Sequence, residues 1–166
     1  MKIDVNKLKL SKQTLFKEDV TFDPEKFKTI FPLNEIKVAH VEANIAKYDD
    51  FINVDLKVNA DVILTCSYTL KPFLYKLRAD DELHFASYAD EEDYELLEFR
   101  GNMIDLDPYI FDLIAASIPL SPKAPGAKLP QGGKDYRVIT DEEEAKEKQE
   151  RGNDKFDALL DLDLDK

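Results

Sequence analysis

The chain has 166 residues, of which 43% are hydrophobic and 35% are charged, and its net charge is −12. These values predict one folded domain with a tail and exclude a protein that binds nucleic acid over its whole surface, because phosphate contacts need cations. No apolar run approaches the roughly 18 residues of a membrane span, and the charged, alternating N-terminus lacks the apolar core of a signal peptide. The single cysteine excludes an internal disulfide and a cysteine-rich zinc site, so we expect a cytoplasmic protein.

The N-terminal part of the chain predicts two strands and a short helix. Alternating apolar and polar residues within 1–22 indicate two short strands. Asp23 is a favourable N-cap residue and Pro24 suits the first helical turn. The helix would end at Pro32 and carry apolar side chains at helical spacing, namely Phe27, Ile30 and Phe31.

The longest strand pattern in the sequence covers residues 51–68. Every even position is apolar and most odd positions are polar, which predicts a β-strand with one buried face. A strand of this length must bend, and we place the bend at Asn59-Ala60-Asp61 because these residues have low β-propensity. A phase slip in the preceding strand predicts a bulge near Ala39-His40. Together the two strands form a long antiparallel hairpin over 35–68.

More strands are predicted after this hairpin. Alternation over 73–86, with Asp80-Asp81 in the middle, indicates a second hairpin that turns at the two aspartates. Tyr94–Phe99 and Met103–Leu106 look like two strands around Arg100-Gly101-Asn102, whose glycine and asparagine suit a turn.

The clearest helix pattern covers residues 107–118. Asp107 is the predicted N-cap, and Pro119 ends the helix. Isoleucines repeat every four residues along one face, which indicates core packing rather than a ligand site: Ile110, Ile114 and Ile118.

The rest of the chain predicts a loop, a short strand and a charged helix. Residues 120–135 are rich in proline and glycine, Tyr136–Thr140 suits a short strand, and Asp141–Arg151 suits a solvated helix. We expect one β-rich domain over 1–140 and an acidic, helical or partly disordered tail over 141–166. The fold class is α+β with a mainly antiparallel sheet, which the long hairpin could close into a barrel-like shape.

Charge is unevenly distributed along the chain. Residues 80–98 hold nine acids and no lysine or arginine, and 141–166 hold eleven acids against five bases. Acidic faces of this kind attract basic proteins. Residues 121–139 carry a net positive charge. Their cations could contact RNA from a flexible loop, although scattered loop lysines usually only promote solubility. These cations are Lys123, Lys128, Lys134 and Arg137.

The residues offer no catalytic constellation. The sequence lacks the common phosphate-loop, dinucleotide, nucleophile-elbow and zinc-protease motifs. Cys66 lies on the apolar side of the long strand, so burial is expected rather than activation as a nucleophile. His40 and His84 are expected to be structural because neither has a cysteine or a second histidine at ligand spacing. The prediction is therefore no enzyme, no cofactor and no metal.

Three blocks of the sequence resemble the YceD family of large ribosomal RNA subunit accumulation proteins. Leu64–Pro72 is similar to the family's L-x-C-x-R-C-L-x-P pattern, and 104–122 is similar to its helix that ends in L-P-l-x-P. Residues 154–160 are similar to the family's terminal D-P-R/F-x-x-L pattern. The positions that carry the signature are Cys66, Thr69, Leu70, Pro72, Asp105, Pro119 and Pro122.

The chain departs from this family pattern at its cysteines. Thr69 stands where many members have the second cysteine of C-x-x-C, and Leu129 and Gly132 replace two cysteines of a later C-P-x-C-G segment. If the family's cysteines bind a metal, this chain has kept one of four, Cys66. The resemblance then implies that no zinc site of four thiolates can form here.

The resemblance implies a non-enzymatic role in 23S ribosomal RNA accumulation and large-subunit assembly. In many bacteria the family's gene adjoins that of a small, basic large-subunit ribosomal protein, which we expect to bind acidic residues here. Precursor 23S RNA at the basic loop is the second expected partner. The alternative is an acidic interaction module or scaffold unrelated to ribosomes. The residues expected to contact the basic partner are Asp90, Glu91, Glu92 and Asp93.

Overall fold

The computed structural model describes residues 1–27, 29–49, 51–87 and 96–151. The chain divides into two units, Met1–Pro125 and Gly126–Lys166. The four acidic residues expected to bind a basic partner, 90–93, lie outside the described residues, as does the third block of the family resemblance, 154–160.

The first unit is built on a five-stranded sheet, which confirms an α+β fold with mainly antiparallel strands. Its strand order is β2-β3-β4-β5-β6, and every neighbouring pair is antiparallel except the parallel pair β5–β6. Two short strands, β1 and β7, form a second antiparallel sheet. Among the described strands the large sheet stays open, with β2 and β6 at its edges, so the barrel-like closure is not formed. The strands are β1 Lys2–Asp4, β2 Gln13–Val20, β3 Leu33–Lys47, β4 Phe51–Thr65, β5 Pro72–Ala86, β6 Leu96–Glu98 and β7 Met103–Asp105.

The long alternating stretch forms the central strand β4, as predicted. Its even positions are buried and its odd positions are half-buried or exposed, because one face packs on the core and the other meets solvent. Pairing with β5 is continuous from Phe51 to Thr65, including Asn59-Ala60-Asp61, where a bend was expected. The bulge predicted at Ala39-His40 occurs slightly earlier, since the register of β3 against β4 shifts between Ile36 and Val38.

The second predicted hairpin is wrong, because residues 72–86 form one uninterrupted strand. All fifteen residues of β5 pair with β4, and Asp80 and Asp81 lie in mid-strand opposite Lys57 and Leu56. The odd positions of β5 keep the same phase on both sides of the aspartates, so no turn is needed to place the apolar residues on one face. A partner strand of equal length stabilises this extended conformation despite the low β-propensity of aspartate.

The strands on either side of Gly101 form, but they do not pair with each other as the turn signal suggested. β6 pairs with β5, whereas β7 pairs with β1 at the start of the chain. Gly101 has φ 76°, a value that favours glycine, so it redirects the chain from one sheet to the other.

Two other local predictions are also wrong. Residues 24–26 form only a single 3₁₀ turn, although Asp23 caps it as expected by accepting a hydrogen bond from the Glu25 N–H. Residues 136–140 form no strand. Both segments are short. A short helix needs tertiary packing and a short strand needs a pairing partner, and local propensity supplies neither.

Helix α1, Asp107–Ala116, packs against the large sheet. Ile110 and Ile114 are fully buried, and the Tyr109 ring meets Phe85 of β5 edge-on at 5.3 Å between centroids. The N-cap is Leu106 rather than Asp107, and the exposed first-turn N–H of Asp107 is satisfied by the Asp105 carboxylate at 3.1 Å. The apolar stripe therefore does serve core packing, as predicted.

The second unit contains helix α2, Asp141–Arg151, which confirms the charged helix. Thr140 and Glu143 form a reciprocal capping box at its start, with hydrogen bonds of 2.9 and 3.1 Å. No helix of the described residues is both long and apolar enough to cross a membrane.

Candidate functional site

The turn that joins β4 to β5, Cys66–Lys71, is the best-defined irregular feature of the first unit. The Cys66 N–H donates to the Lys71 carbonyl at 2.9 Å, and the Leu70 N–H donates to the Cys66 carbonyl at 2.8 Å. These bonds close the turn tightly, and they hold Leu70 at φ 56°, in the left-handed region. We call this turn, together with residues 120–124, the Cys66 corner.

Residues 120–124 follow helix α1 and bind the turn through backbone and side-chain contacts. The Ser67 N–H donates to the Pro122 carbonyl at 2.8 Å, and the Pro122 ring is fully buried. The Lys123 ammonium lies over the Tyr68 ring, 4.9 Å from its centroid, in a cation–π contact. The corner is therefore assembled from two segments that are about fifty residues apart in the sequence.

The Cys66 sulfur accepts hydrogen bonds inside this corner. The Ala124 N–H lies 3.3 Å from the sulfur, and this bond is the largest cause that lowers the pKa of the Cys66 thiol from 9.0 to about 7. The Thr69 hydroxyl and the backbone N–H groups of Thr69 and Tyr68 lower the pKa further, whereas burial raises it. Thr69, which stands where the resembled family has a second cysteine, thus still contacts the sulfur.

The burial of Cys66 was predicted, but these donors were not. A thiol with a lowered pKa can act as a nucleophile only if a substrate can reach it. Cys66 is completely buried, so the corner fixes the sulfur as an acceptor that joins two segments of the fold. Within the described ranges no group of three or more potential ligands could hold a metal ion.

The other positions of the family signature lie mainly at the surface. Thr69, Leu70 and Pro72 are exposed, and Pro72 begins β5 opposite Thr65. Asp105 lies at the end of β7, where its carboxylate accepts the hydrogen bond from the start of α1, and Pro119 is half-buried after that helix.

The cations of the predicted RNA-binding loop belong to different units. Lys123 lies in the first unit at the Cys66 corner, while the other three lie in the second unit. Lys128 and Lys134 are exposed, and the Arg137 guanidinium forms an ion pair with the Glu147 carboxylate on α2.

Both histidines form side-chain hydrogen bonds on the polar face of the large sheet. His40 Nδ1 lies 2.5 Å from an Asp19 carboxylate oxygen on β2. His84 Nδ1 lies 3.0 Å from the Asn53 amide oxygen on β4. These are cross-strand contacts of the kind that stabilise a sheet, in agreement with a structural role.

Charge segregation along β5 was missed by the sequence reasoning because the strand was divided into a hairpin. Its first half, 72–79, carries Lys76 and Arg78 and no acid, whereas its second half carries Asp80, Asp81 and Glu82 and no lysine or arginine. The order of charges in the sequence was the available signal: in a continuous strand the cations lie between the Cys66 corner and mid-strand, and the acids follow from mid-strand onward.

Comparisons with known proteins agree with the sequence resemblance. Residues 54–163, about two thirds of the chain, match the family "Large ribosomal RNA subunit accumulation protein YceD". The chain is also similar to "Uncharacterized protein YlbN" from Bacillus subtilis (strain 168), with 28% identity over 99 residues. That match covers 55% of this chain and 57% of the relative's length. No solved structure matches the chain. The chain belongs to the YceD family.

Proposed function

We propose that this chain is a non-enzymatic ribosome biogenesis factor that supports the accumulation of 23S ribosomal RNA and the assembly of the large subunit. The observation that carries this proposal is the family match over residues 54–163. Ribosomes assemble in the cytoplasm, which is the compartment that the role requires.

A basic large-subunit ribosomal protein is the proposed direct partner. The acidic half of β5 supports this, because Asp80, Asp81 and Glu82 are all exposed. They begin the acid-rich run 80–98, which includes Asp90, Glu91, Glu92 and Asp93. A cluster of one sign attracts a protein of the opposite sign and accelerates their encounter, and salt weakens that attraction.

Precursor ribosomal RNA is the second proposed partner, at the cations that the second unit contributes: Lys128, Lys134 and Arg137. Lys128 and Lys134 are exposed and are therefore available for phosphate contacts. Arg137 could contact RNA only after it exchanges its ion pair with Glu147, so its contribution should be smaller.

Depletion of the protein in its host tests the cellular role. We expect a lower ratio of large to small subunits in a sucrose gradient, together with reduced mature 23S RNA and unchanged 16S RNA. A normal gradient and normal 23S RNA in depleted cells would refute the proposal and favour an acidic interaction module without a ribosomal link.

A binding assay tests the partner directly. The purified chain should retain basic large-subunit ribosomal proteins at about 50 mM salt and release them at about 500 mM, because the Debye length falls across that range. The variant D80N/D81N/E82Q should retain less, while Lys12→Glu, which adds negative charge in the exposed turn before β2, should not retain less. Binding that is equally strong at both salt concentrations would contradict an electrostatic interaction.

A further inference from the structure

Four of the ten exposed large hydrophobic side chains in the described part of the protein lie at one end of the sheet, around the Cys66 corner. Leu70 is 74% exposed in the turn, and Leu120 is 96% exposed two residues before Pro122. The other two are Phe31 and Leu74, which are 77% and 48% exposed.

Phe31 and Leu74 belong to the same end of the sheet by their backbone pairing. Phe31 precedes Pro32, whose carbonyl accepts a hydrogen bond from the Thr65 N–H at 2.9 Å. Leu74 pairs in register with Ile63, two residues before the end of β4. Large apolar side chains that gather on an otherwise polar surface mark an interaction site more often than scattered ones do.

The backbone presents Leu70 at a cost in conformational energy. A leucine at φ 56° is strained, because its Cβ approaches the following carbonyl oxygen, and burial of the side chain does not compensate. Strain that the fold maintains at an exposed position indicates a functional constraint on that position.

The charge around these apolar side chains is positive, although the whole chain is acidic. Residues 66–77 and 117–125 contain Lys71, Lys76 and Lys123 and no acid. Asp61 lies opposite Lys76 in the register, and Glu35 lies opposite Ile63, the register partner of Leu74, so these two acids offset part of the charge. The corner therefore keeps a net positive charge in a chain whose net charge is −12.

The chemistry of the corner fits a protein segment better than a nucleic acid. Single-stranded RNA is held by exposed aromatic faces, on which bases stack. Here the Lys123 ammonium already covers a face of the Tyr68 ring, and three of the four exposed apolar side chains are leucines. Leucines beside lysines are complementary to an amphipathic helix that carries acidic residues next to its apolar face.

We infer that the Cys66 corner is a docking surface for an acidic amphipathic segment of a partner protein. Leu70 and Leu120 insert into the apolar face of that segment, and Lys71 in the turn and Lys76 near the start of β5 attract its carboxylates. This interaction is separate from the proposed binding of a basic ribosomal protein, and neither depends on the other.

Fluorescence anisotropy with a defined probe tests this inference. The probe is a labelled helical peptide of about 18 residues with leucine and phenylalanine on one face and glutamate elsewhere. Its control is the same peptide with lysine in place of glutamate. We expect the full chain to bind the acidic peptide at least roughly ten times more tightly than the basic one, with an affinity that falls as salt rises.

Corner variants and matched controls locate the binding. The variant L70N/L120S should weaken binding of the acidic peptide roughly tenfold, and Lys71→Glu should weaken it severalfold. The controls are Leu15→Thr, an exposed leucine on edge strand β2, and Lys12→Glu, and both should bind as the wild type does. A denaturation midpoint no lower than that of the wild type would show that each variant is folded.

Several results would overturn the inference. One is equal affinity for the two peptides, or no affinity for either. Another is unchanged binding by L70N/L120S. Displacement of the acidic peptide by a single-stranded RNA of about 16 nucleotides would assign the corner to RNA instead. Sedimentation that shows a dimer which L70N/L120S dissociates would assign it to a second copy of the chain.

Discussion

Cys66 is buried among hydrogen-bond donors, and this combination makes the stability of the protein depend on pH. The Ala124 N–H and the Thr69 hydroxyl lower the pKa of the thiol to about 7 in the folded protein, below its ordinary value of 9.0. Between these values the folded state releases the proton while the unfolded state keeps it. The stabilisation that the thiolate provides is therefore complete above about pH 9 and is lost as the pH falls through about 7.

The serine variant provides the comparison. Cys66→Ser keeps a small hydrogen-bonding group that does not titrate in this range, so its stability should lack the increase between pH 7 and pH 9. Urea denaturation of both proteins at about pH 6 and about pH 9.5 measures the difference in the free energy of unfolding. If wild type and variant differ in free energy of unfolding by the same amount at both pH values, the pKa of Cys66 is not lowered in the folded protein.

Leu70 is the residue whose replacement should increase stability. Asparagine tolerates the left-handed region better than leucine, and little buried apolar area is lost because the side chain is 74% exposed. We expect Leu70→Asn to raise the free energy of unfolding by roughly 1 kcal/mol. Leu120→Asn, at an exposed position without positive φ, should change stability by less than about 0.5 kcal/mol. Equal effects of the two substitutions in urea denaturation would contradict the strain at Leu70.

At the scale of single residues, the sequence predicted burial well and hydrogen-bond partners poorly. Cys66 shares the phase of the buried row in β4, and alternation is a local property that can be counted. Its main donor, the Ala124 N–H, lies 58 residues away. Nothing in the local pattern around Cys66 specifies such a partner. The backbone hydrogen bonds of the turn hold Leu70 at positive φ, and a leucine gives no sequence signal for that conformation.

At the level of elements, the register of β5 against β4 can be tested by charge substitutions. Lys57 of β4 lies between Glu42 of β3 and Asp80 of β5 in directly opposed positions. Lys57→Glu would place three carboxylates in one row, which should cost roughly 0.5–1 kcal/mol of stability. Adding Asp80→Lys should recover part of the loss, because it restores an opposite-charge pair.

The double-mutant cycle of Lys57→Glu and Asp80→Lys isolates this coupling. A favourable coupling energy in urea denaturation supports a continuous β5 with Asp80 in mid-strand. No coupling would indicate instead that the two side chains are far apart, as they would be if Asp80-Asp81 formed the turn of a hairpin.

The errors at the level of elements share one cause. Aspartates in β5 and glycine after β6 are genuine turn residues, but which strands pair is decided by contacts that are distant in sequence. β4 offers β5 a partner of full length, and β1, at the start of the chain, pairs with β7. Alternation predicts where a strand forms and which of its faces is buried, but it does not predict which other strand it pairs with.

Over the whole first unit, a single strand connects two surfaces of opposite charge. β5 begins at the Cys66 corner with Pro72 and reaches Asp81 nine residues later, about 30 Å along an extended strand. The acidic run was visible in the sequence because it is contiguous. The positive, apolar corner was not, because it combines the β4–β5 turn with residues from after α1 and from before β3.

The two surfaces should bind their partners independently. The nearest charges of the two surfaces, Lys76 and Asp80, lie about 13 Å apart along β5, and sites without shared contacts at more than about 10 Å usually have additive effects. The variant D80N/D81N/E82Q should therefore weaken binding of a basic large-subunit ribosomal protein and leave the affinity for the acidic peptide unchanged. Conversely, L70N/L120S should weaken binding of the acidic peptide roughly tenfold and leave the ribosomal protein bound at wild-type strength. Both affinities can be measured by anisotropy at the same salt concentration.

The pattern of results separates the two proposals. If only the acidic peptide fails to bind, the corner has another role, while the proposed ribosomal partner stands. If only the ribosomal protein fails to bind, the partner proposed for the acidic surface is wrong, while the corner stands as a docking surface. If either variant weakens both interactions while its denaturation midpoint is no lower than that of the wild type, the surfaces are coupled. In that case the charge segregation of β5 does not divide the first unit into two independent binding sites.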